Sequence, residues 1–208
     1  AVRVSPQNAQ ALTPALVAAG IDLLVIQGTI ISAERVTQGR DGSGEPLNLK
    51  TFISELDVPV VAGGVTDHRT ALHLMRTGAE VLGINVPMAT AIADAAAARR
   101  EYLDETGGRY VHVLADGDIH TSGDLAKAIA CGADAVLLGT PLAVAAEALC
   151  DGWYWPSAAA HPSLPRGGLL EIALGDRPSL DQVLNGPSDD PFGSLNLVGG
   201  LRRSMAKA

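Results

Sequence analysis

The stretch from Val111 to Leu149 constrains the fold more than any other part of this chain, because it reads as strand, loop, helix, strand, loop, helix. Its two short apolar runs, Val111–Ala115 and Ala135–Leu138, are each followed at once by a turn, Asp116-Gly117-Asp118 and Gly139-Thr140. A helix inserted between two strands returns the chain to the same end of the sheet, so the two strands run parallel. Turns at the carboxyl ends of consecutive parallel strands offer backbone N–H groups to an anion, and the segment is therefore a place to hold a phosphorylated small molecule.

The alternation extends along the chain. Strands are expected at Val2–Val4, Asp22–Ile26, Val58–Ala62, Tyr110–Ala115 and Ala135–Leu138, with helices at Pro6–Ala19, Leu47–Leu56, Asp67–Thr77, Met88–Thr106, Ser122–Cys131 and Leu142–Leu149. Continuously apolar strands alternating with helices predict a parallel sheet covered on both faces. With 47% hydrophobic and only 3% aromatic residues, the core is expected to be built from Ala, Val, Leu and Ile. One interval breaks the pattern. Gly78 to Pro87 is too short for a buried strand, a functional loop and a helix entry, so either Val81–Ile84 is a vestigial strand or a piece of chain is absent there. Ala1-Val2 opens directly on a strand, and the strands number five or six where a closed (β/α)8 barrel needs eight. The expectation is an incomplete or internally gapped barrel, with residues 1–150 forming its carboxyl-terminal part and 151–208 a flap and closing segment of the same domain.

After Cys150 the chain turns rich in Gly, Pro, Asp, Ser and Asn. Trp153, Tyr154 and Trp155 argue for a flap over the site rather than plain disorder, because aromatic side chains gain nothing by floating in water. The net charge of −8 opposes nucleic acid as a partner, since phosphate-backbone binding needs clustered Lys and Arg. Arg99-Arg100 and Arg202-Arg203 are pairs, expected on solvated helix faces. Neither a membrane span nor a leader is visible, which makes a soluble cytoplasmic protein the expectation. Cys131 and Cys150, the only cysteines, read as reduced thiols packed near the core.

Several residues at the predicted strand ends carry candidate chemistry. Asp116 ends a buried strand, where its carboxylate can accept hydrogen bonds from ribose hydroxyls while Gly117 admits a ligand to the backbone; the competing role is closing its own turn. Asp118 and His120 read as turn or helix-entry groups. Gly139-Thr140 precedes Pro141, which suits the first turn of a helix, and its amides with the Thr140 hydroxyl can bind an anion without net positive charge. Gln27-Gly28-Thr29 and Gly63-Gly64 repeat the strand-then-glycine pattern, leaving room for a cofactor ring or simply making tight turns. Gln38 to Glu45 reads as an exposed loop. Arg166 on the flap can meet phosphate or activate a water, although a surface role is commoner for arginine.

These residues resemble the IMP dehydrogenase/GMP reductase family. The resemblance rests on Ala115-Asp116-Gly117, on Ser122-Gly123-Asp124-Leu125-Ala126-Lys127-Ala128, and on Gly132-Ala133 followed by Val136-Leu137-Leu138-Gly139-Thr140. Val58 to Gly63, Val86 to Ala91 and Leu197 to Arg202 support it, and the tract Ala158 to Gly167 is similar to the branch described as IMP dehydrogenase-related. The resemblance implies a (β/α)8 TIM barrel in the α/β class and hydride transfer between a nicotinamide, NAD or NADP, and C2 of a purine nucleoside monophosphate, IMP or GMP. It further implies that Asp116 holds the ribose, that Gly117, Asp118, Gly139 and Thr140 cradle the phosphate, and that Gln27, Gly28, Thr29, Gly63 and Gly64 border the nicotinamide. A homo-oligomer, as in the family's tetramers, and a monovalent cation belong to the same expectation; no metal ligand set is readable.

The sequence also departs from that family. Its catalytic cysteine belongs to a Gly-rich loop after the sixth strand, and in this chain Ala79-Glu80 runs straight into Val81, so no nucleophile can be nominated. Gln27 and Gly64 stand where Asp and Asn are usual, and Asp118 where Gly is usual. Arg166 is the one candidate for activating water in IMP oxidation, and the alternatives are a GMP reductase and a nucleotide-binding protein without chemistry. An isomerase or aldolase barrel is a third class, because phosphate sites are shared among unrelated barrels, but apart from Asp116, given to the ribose, no lysine or carboxylate base stands at a predicted strand end.

Overall fold

The computed structural model describes residues 1–28, 47–84, 88–117, 119–149, 153–154, 170–171 and 177–185. Contacts divide the chain into two compact units, Ala1–Asp116 with Cys131–Ala135, and Gly117–Ala130 with Val136–Ala208.

The first unit is a run of β/α repeats. In chain order it contains β1 (Val2–Val4), α1 (Pro6–Ala18), β2 (Leu24–Gln27), α2 (Leu49–Ser54), β3 (Val60–Val65), α3 (His68–Arg76), β4 (Val81–Ile84), α4 (Met88–Thr106) and β5 (His112–Asp116). The sheet order is β1 to β5 and then β6 (Ala135–Leu137), with every described pairing parallel. Strand order identical to chain order separates this fold from the doubly wound class, whose order reverses at a switch point, and matches the progression around a (β/α)8 barrel.

The strands form because their apolar runs are buried on both faces. Leu24, Ile26, Ala62, Val65, Leu82, Ile84, Val111, Val113 and Ala115 are all fully buried, as are Leu49, Leu74 and Met75 from the covering helices. Each such Leu, Ile or Val contributes about 1.5–3 kcal/mol on leaving water. The helices start where polar side chains satisfy their first amides. Asn48 Oδ1 accepts from the Thr51 N–H at 3.2 Å, and Asp67 Oδ1 from the Thr70 N–H at 3.0 Å.

Three expectations are corrected. Val81–Ile84 is not vestigial: it is a four-residue strand paired on both sides, with Leu82 opposite Ala62 and Val113. The fit is achieved by economy, since α3 ends at Arg76 and only Asn85 to Pro87 separate β4 from α4. Second, β6 is exposed rather than buried, with Leu137 47% exposed, because it ends the strand order. Third, the segment after Cys150 is not wholly irregular: β7 (Trp153–Tyr154) pairs antiparallel with β8 (Leu170–Glu171), and α7 (Leu180–Asn185) follows.

Within the second unit, α5 (Ser122–Ala130) and α6 (Thr140–Ala143) keep the β/α rhythm. Helix α5 opens on a reciprocal box in which the Thr121 N–H and hydroxyl donate to Asp124 Oδ2 at 3.0 and 2.8 Å while the Asp124 N–H donates to Thr121 Oγ1 at 3.2 Å. Helix α7 repeats the device, Ser179 N–H to Gln182 Oε1 at 2.8 Å and Gln182 N–H to Ser179 Oγ at 3.2 Å. The Arg177 guanidinium closes the other end of α6, donating to the carbonyls of Ala145 and Ala148 at 2.5 and 3.0 Å, where a cation complements the helix dipole. No helix among the described residues is long and apolar enough to cross a membrane.

Candidate functional site

Parallel strands place their last residues side by side, so the carboxyl ends of β2, β3 and β5 bring Gln27, Gly63 and Asp116 to one end of the first unit. Gln27 is 8% exposed, and its amide Nε2 donates to Asp116 Oδ2 at 2.7 Å. Two strands, β3 and β4, lie between them in the sheet. Three strand spacings of about 4.8 Å would hold the ends of β2 and β5 roughly 14 Å apart in a flat sheet, more than a Gln and an Asp facing each other can span. The hydrogen bond therefore requires the sheet to curl, as a barrel wall does.

By register Gln27 lies opposite Gly63, Gly63 opposite Gly83, and Gly83 opposite Leu114, two residues before Asp116. A Cβ on Gly63 would meet the Gly83 carbonyl oxygen at 2.8 Å and its Cα at 3.0 Å, which makes glycine obligatory there through the approach of β4. The strand ends also close on themselves: the Gly28 N–H donates to Gly63 O at 3.1 Å and the Gly64 N–H to Gly28 O at 3.3 Å. Gly28, Gly63 and Gly64 are thus tied together through their peptide groups, with Gly63 and Gly64 buried and Gly28 partly exposed.

The predicted residues fall into three groups. Gln27, Gly28, Gly63, Gly64 and Asp116 come together in the first unit. Gly117, Gly139 and Thr140 belong to the second, while Thr29, Asp118, Arg166 and the Gln38 to Glu45 loop lie outside the described residues. Gly117 has φ +127, a conformation only glycine adopts freely. Gly139 caps α6, its carbonyl accepting the N–H groups of Leu142 and Ala143 at 3.0 Å each. Tyr154, expected only on a flap, stands directly on this turn: a Cβ at position 139 would run into its hydroxyl oxygen. The signal for it was the isolated aromatic cluster, but not which residue it would cover.

Cys131 follows α5 and Cys150 lies outside the described residues. The link between β4 and α4 contains no cysteine. Among the described residues no group of three or more His, Cys, Asp or Glu is placed to hold a metal ion. A cavity of about 360 Å³ opens at the opposite, amino-terminal ends of β3 and β4, rimmed by Lys50, Arg76 and Arg109. Two of those cations are already engaged, Arg76 by Glu105 and Arg109 by the Gly78 carbonyl, whereas the Gln27–Asp116 pair lies at the carboxyl-terminal strand ends.

Comparison with known proteins identifies the family. The sequence profile of the IMP dehydrogenase / GMP reductase domain matches residues 1–156. The chain is 82% identical to an uncharacterized oxidoreductase of Mycolicibacterium smegmatis, aligned over all of this chain and 59% of that protein. It is 35% identical to inosine-5'-monophosphate dehydrogenase of Pasteurella multocida over 71% of this chain and 30% of the relative. An IMP dehydrogenase/GMP reductase-like protein from Corynebacterium glutamicum superposes with a TM-score of 0.87 at 57% identity, covering 99% of this chain and 56% of that one. The chain thus spans little more than half the length of these close relatives. The M. smegmatis alignment runs over 225 positions against 208 residues here, so that relative carries internal positions with no counterpart in this chain. This chain belongs to the IMP dehydrogenase / GMP reductase domain family.

Proposed function

We propose that this chain is the nucleotide-binding part of an oxidoreductase that transfers hydride between a nicotinamide cofactor, NAD or NADP, and C2 of a purine nucleoside monophosphate, in the manner of an IMP dehydrogenase. The observation that carries the reading is the Asp116 carboxylate, ending β5 with one oxygen held by Gln27 and the other without a partner among the described residues. A fixed acceptor of this kind suits a ribose hydroxyl. The phosphate is assigned separately, to the amides of Gly139 and Thr140 and the Thr140 hydroxyl in the second unit, since Pro141 has no N–H to offer and Leu142 and Ala143 direct theirs to Gly139. A nicotinamide against the glycine surface of Gly28, Gly63 and Gly64 would accept or supply the hydride. The chain's own residues bind and orient; Arg166 is assigned the activation of water for IMP oxidation. GMP reduction would run the hydride the other way, from the reduced nicotinamide to C2, with the 2-amino group leaving as ammonia, and it needs an acid to help that release.

A second reading, nucleotide binding without hydride transfer, is favoured by the three-residue, cysteine-free link between β4 and α4, because a covalent intermediate needs a nucleophile there. One set of measurements separates the two. Titration with IMP and GMP is expected to show binding that weakens about tenfold or more in Asp116→Asn, the loss of a charge-assisted hydrogen bond. Nicotinamide absorbance with IMP plus NAD(P), and with GMP plus NAD(P)H, then reports turnover. Binding with flat absorbance in both directions selects the second reading; no binding at all rejects both.

A further inference from the structure

We propose that Gln27 is a positioning residue for nucleotide recognition: it reaches across the curled sheet to fix the Asp116 carboxylate so that Oδ1 faces a ribose hydroxyl. The inference rests on the ribose role given to Asp116 above, and it gives one N–H of the Gln27 amide to Asp116.

Three observations lead here. The pair is 89 positions apart in sequence yet joined at 2.7 Å, with Gln27 almost fully buried, so the contact is built by the fold and not by local chance. The two intervening strands carry glycine in the row that starts at Gln27, Gly63 and then Gly83, so that row holds no side chain until Leu114, two residues before Asp116. Finally, the donor is neutral. A primary amide can hold a carboxylate oxygen without cancelling its charge, leaving the second oxygen a full-strength acceptor. A carboxylate at position 27 would repel Asp116 at this distance, and an ammonium or guanidinium would compete with the ligand for it.

The test uses the full-length protein and compares each purine nucleoside monophosphate with its 2′,3′-dideoxy analogue. Wild-type protein is expected to prefer the ribonucleotide, and Gln27→Met, which keeps the shape of the side chain and removes its donor, is expected to reduce that preference about tenfold while leaving dideoxy affinity near its starting value. A merely structural role would weaken both ligands alike. In Gln27→Glu two carboxylates share the contact, and one of them is driven to retain a proton. The protonated glutamic acid then donates as the amide does. Ribonucleotide affinity relative to wild type at the same pH is therefore expected to approach unity in acid and to fall as pH rises and the shared proton leaves. A ribose preference unchanged in Gln27→Met, or a Gln27→Glu ratio that does not vary with pH, overturns the inference while sparing the nucleotide site. Wild-type protein that binds no purine nucleotide overturns the proposed function, and this inference with it.

Discussion

At the scale of single residues, two glycines that look alike in sequence have opposite tolerances. A Cβ on Gly63 is driven into the main chain of β4, with Gly83 O at 2.8 Å, Gly83 Cα at 3.0 Å and Gly83 C at 3.2 Å. Backbone in a paired central strand cannot step aside as a side-chain tip can, so Gly63→Ala is expected to destabilise by about 3 kcal/mol, the upper part of the overpacking range. A Cβ on Gly83 meets only the Gly63 Cα at 3.8 Å, ordinary contact, so Gly83→Ala is expected to stay within about 1 kcal/mol of wild type, offset in part by the backbone entropy that alanine saves. Urea unfolding of the two variants side by side checks the contrast; equal losses would mean that the approach of β3 and β4 is not the reason for either glycine. Nothing in the local sequence distinguishes them, because the distinction lies in which strand's backbone faces the missing side chain.

At the scale of elements, helix entry depends on carboxylates held in their charged form. The Asp67 carboxyl lies below its ordinary value, chiefly through the Thr70 backbone N–H with the Thr70 hydroxyl beside it. For Asp124, burial pushes upward, but the Lys127 ammonium and the Thr121 hydroxyl and N–H outweigh it and hold the group at about 2. Both groups are depressed relative to the unfolded chain, so the stability they provide is complete above the ordinary carboxylate value of 3.8 and is lost as pH falls below it, for Asp124 on the way to about 2. Asp124→Ala is expected to cost about 1 kcal/mol at neutral pH and to flatten the acid limb of the stability curve in that window. A variant as acid-sensitive as wild type would assign the acid limb to other groups. These caps were partly legible in sequence: a polar residue before an amphipathic run placed α3 and α5 to within a residue or two, and the apolar runs ending in glycine located β2, β3 and β5. Val81–Ile84 was obscured because Gly83 and a three-residue exit resemble a loop more than a central strand. The β7–β8 pair was hidden because two-residue strands in Gly- and Pro-rich surroundings leave no period to read. The link from Gln27 to Asp116 was out of reach altogether, since both residues were picked out singly and only the curl of the sheet joins them.

At the scale of the whole molecule, the charge balance makes a claim about how an anion is held. The chain carries −8 at neutral pH, and the groups assigned to the phosphate, Gly139 and Thr140, are main-chain amides and a hydroxyl rather than cations. A site built from lysine and arginine gains affinity by releasing counterions and loses it steeply in salt. A site built from fixed dipoles has short reach, while the surrounding negative charge repels an approaching nucleotide over a distance set by screening. Raising salt from about 50 to 300 mM contracts the Debye length from roughly 14 to 6 Å, which removes repulsion and leaves the amide contacts intact. Purine nucleoside monophosphate affinity is therefore expected to hold steady or to rise by about two- to threefold across that range. Calorimetric titration at several salt concentrations, with chloride replaced by a weakly coordinating anion in one series to expose competition for the turn, measures it. A loss of tenfold or more in both series would show that side-chain cations carry the phosphate, and would move the anion site away from Gly139-Thr140 to arginines such as Arg166.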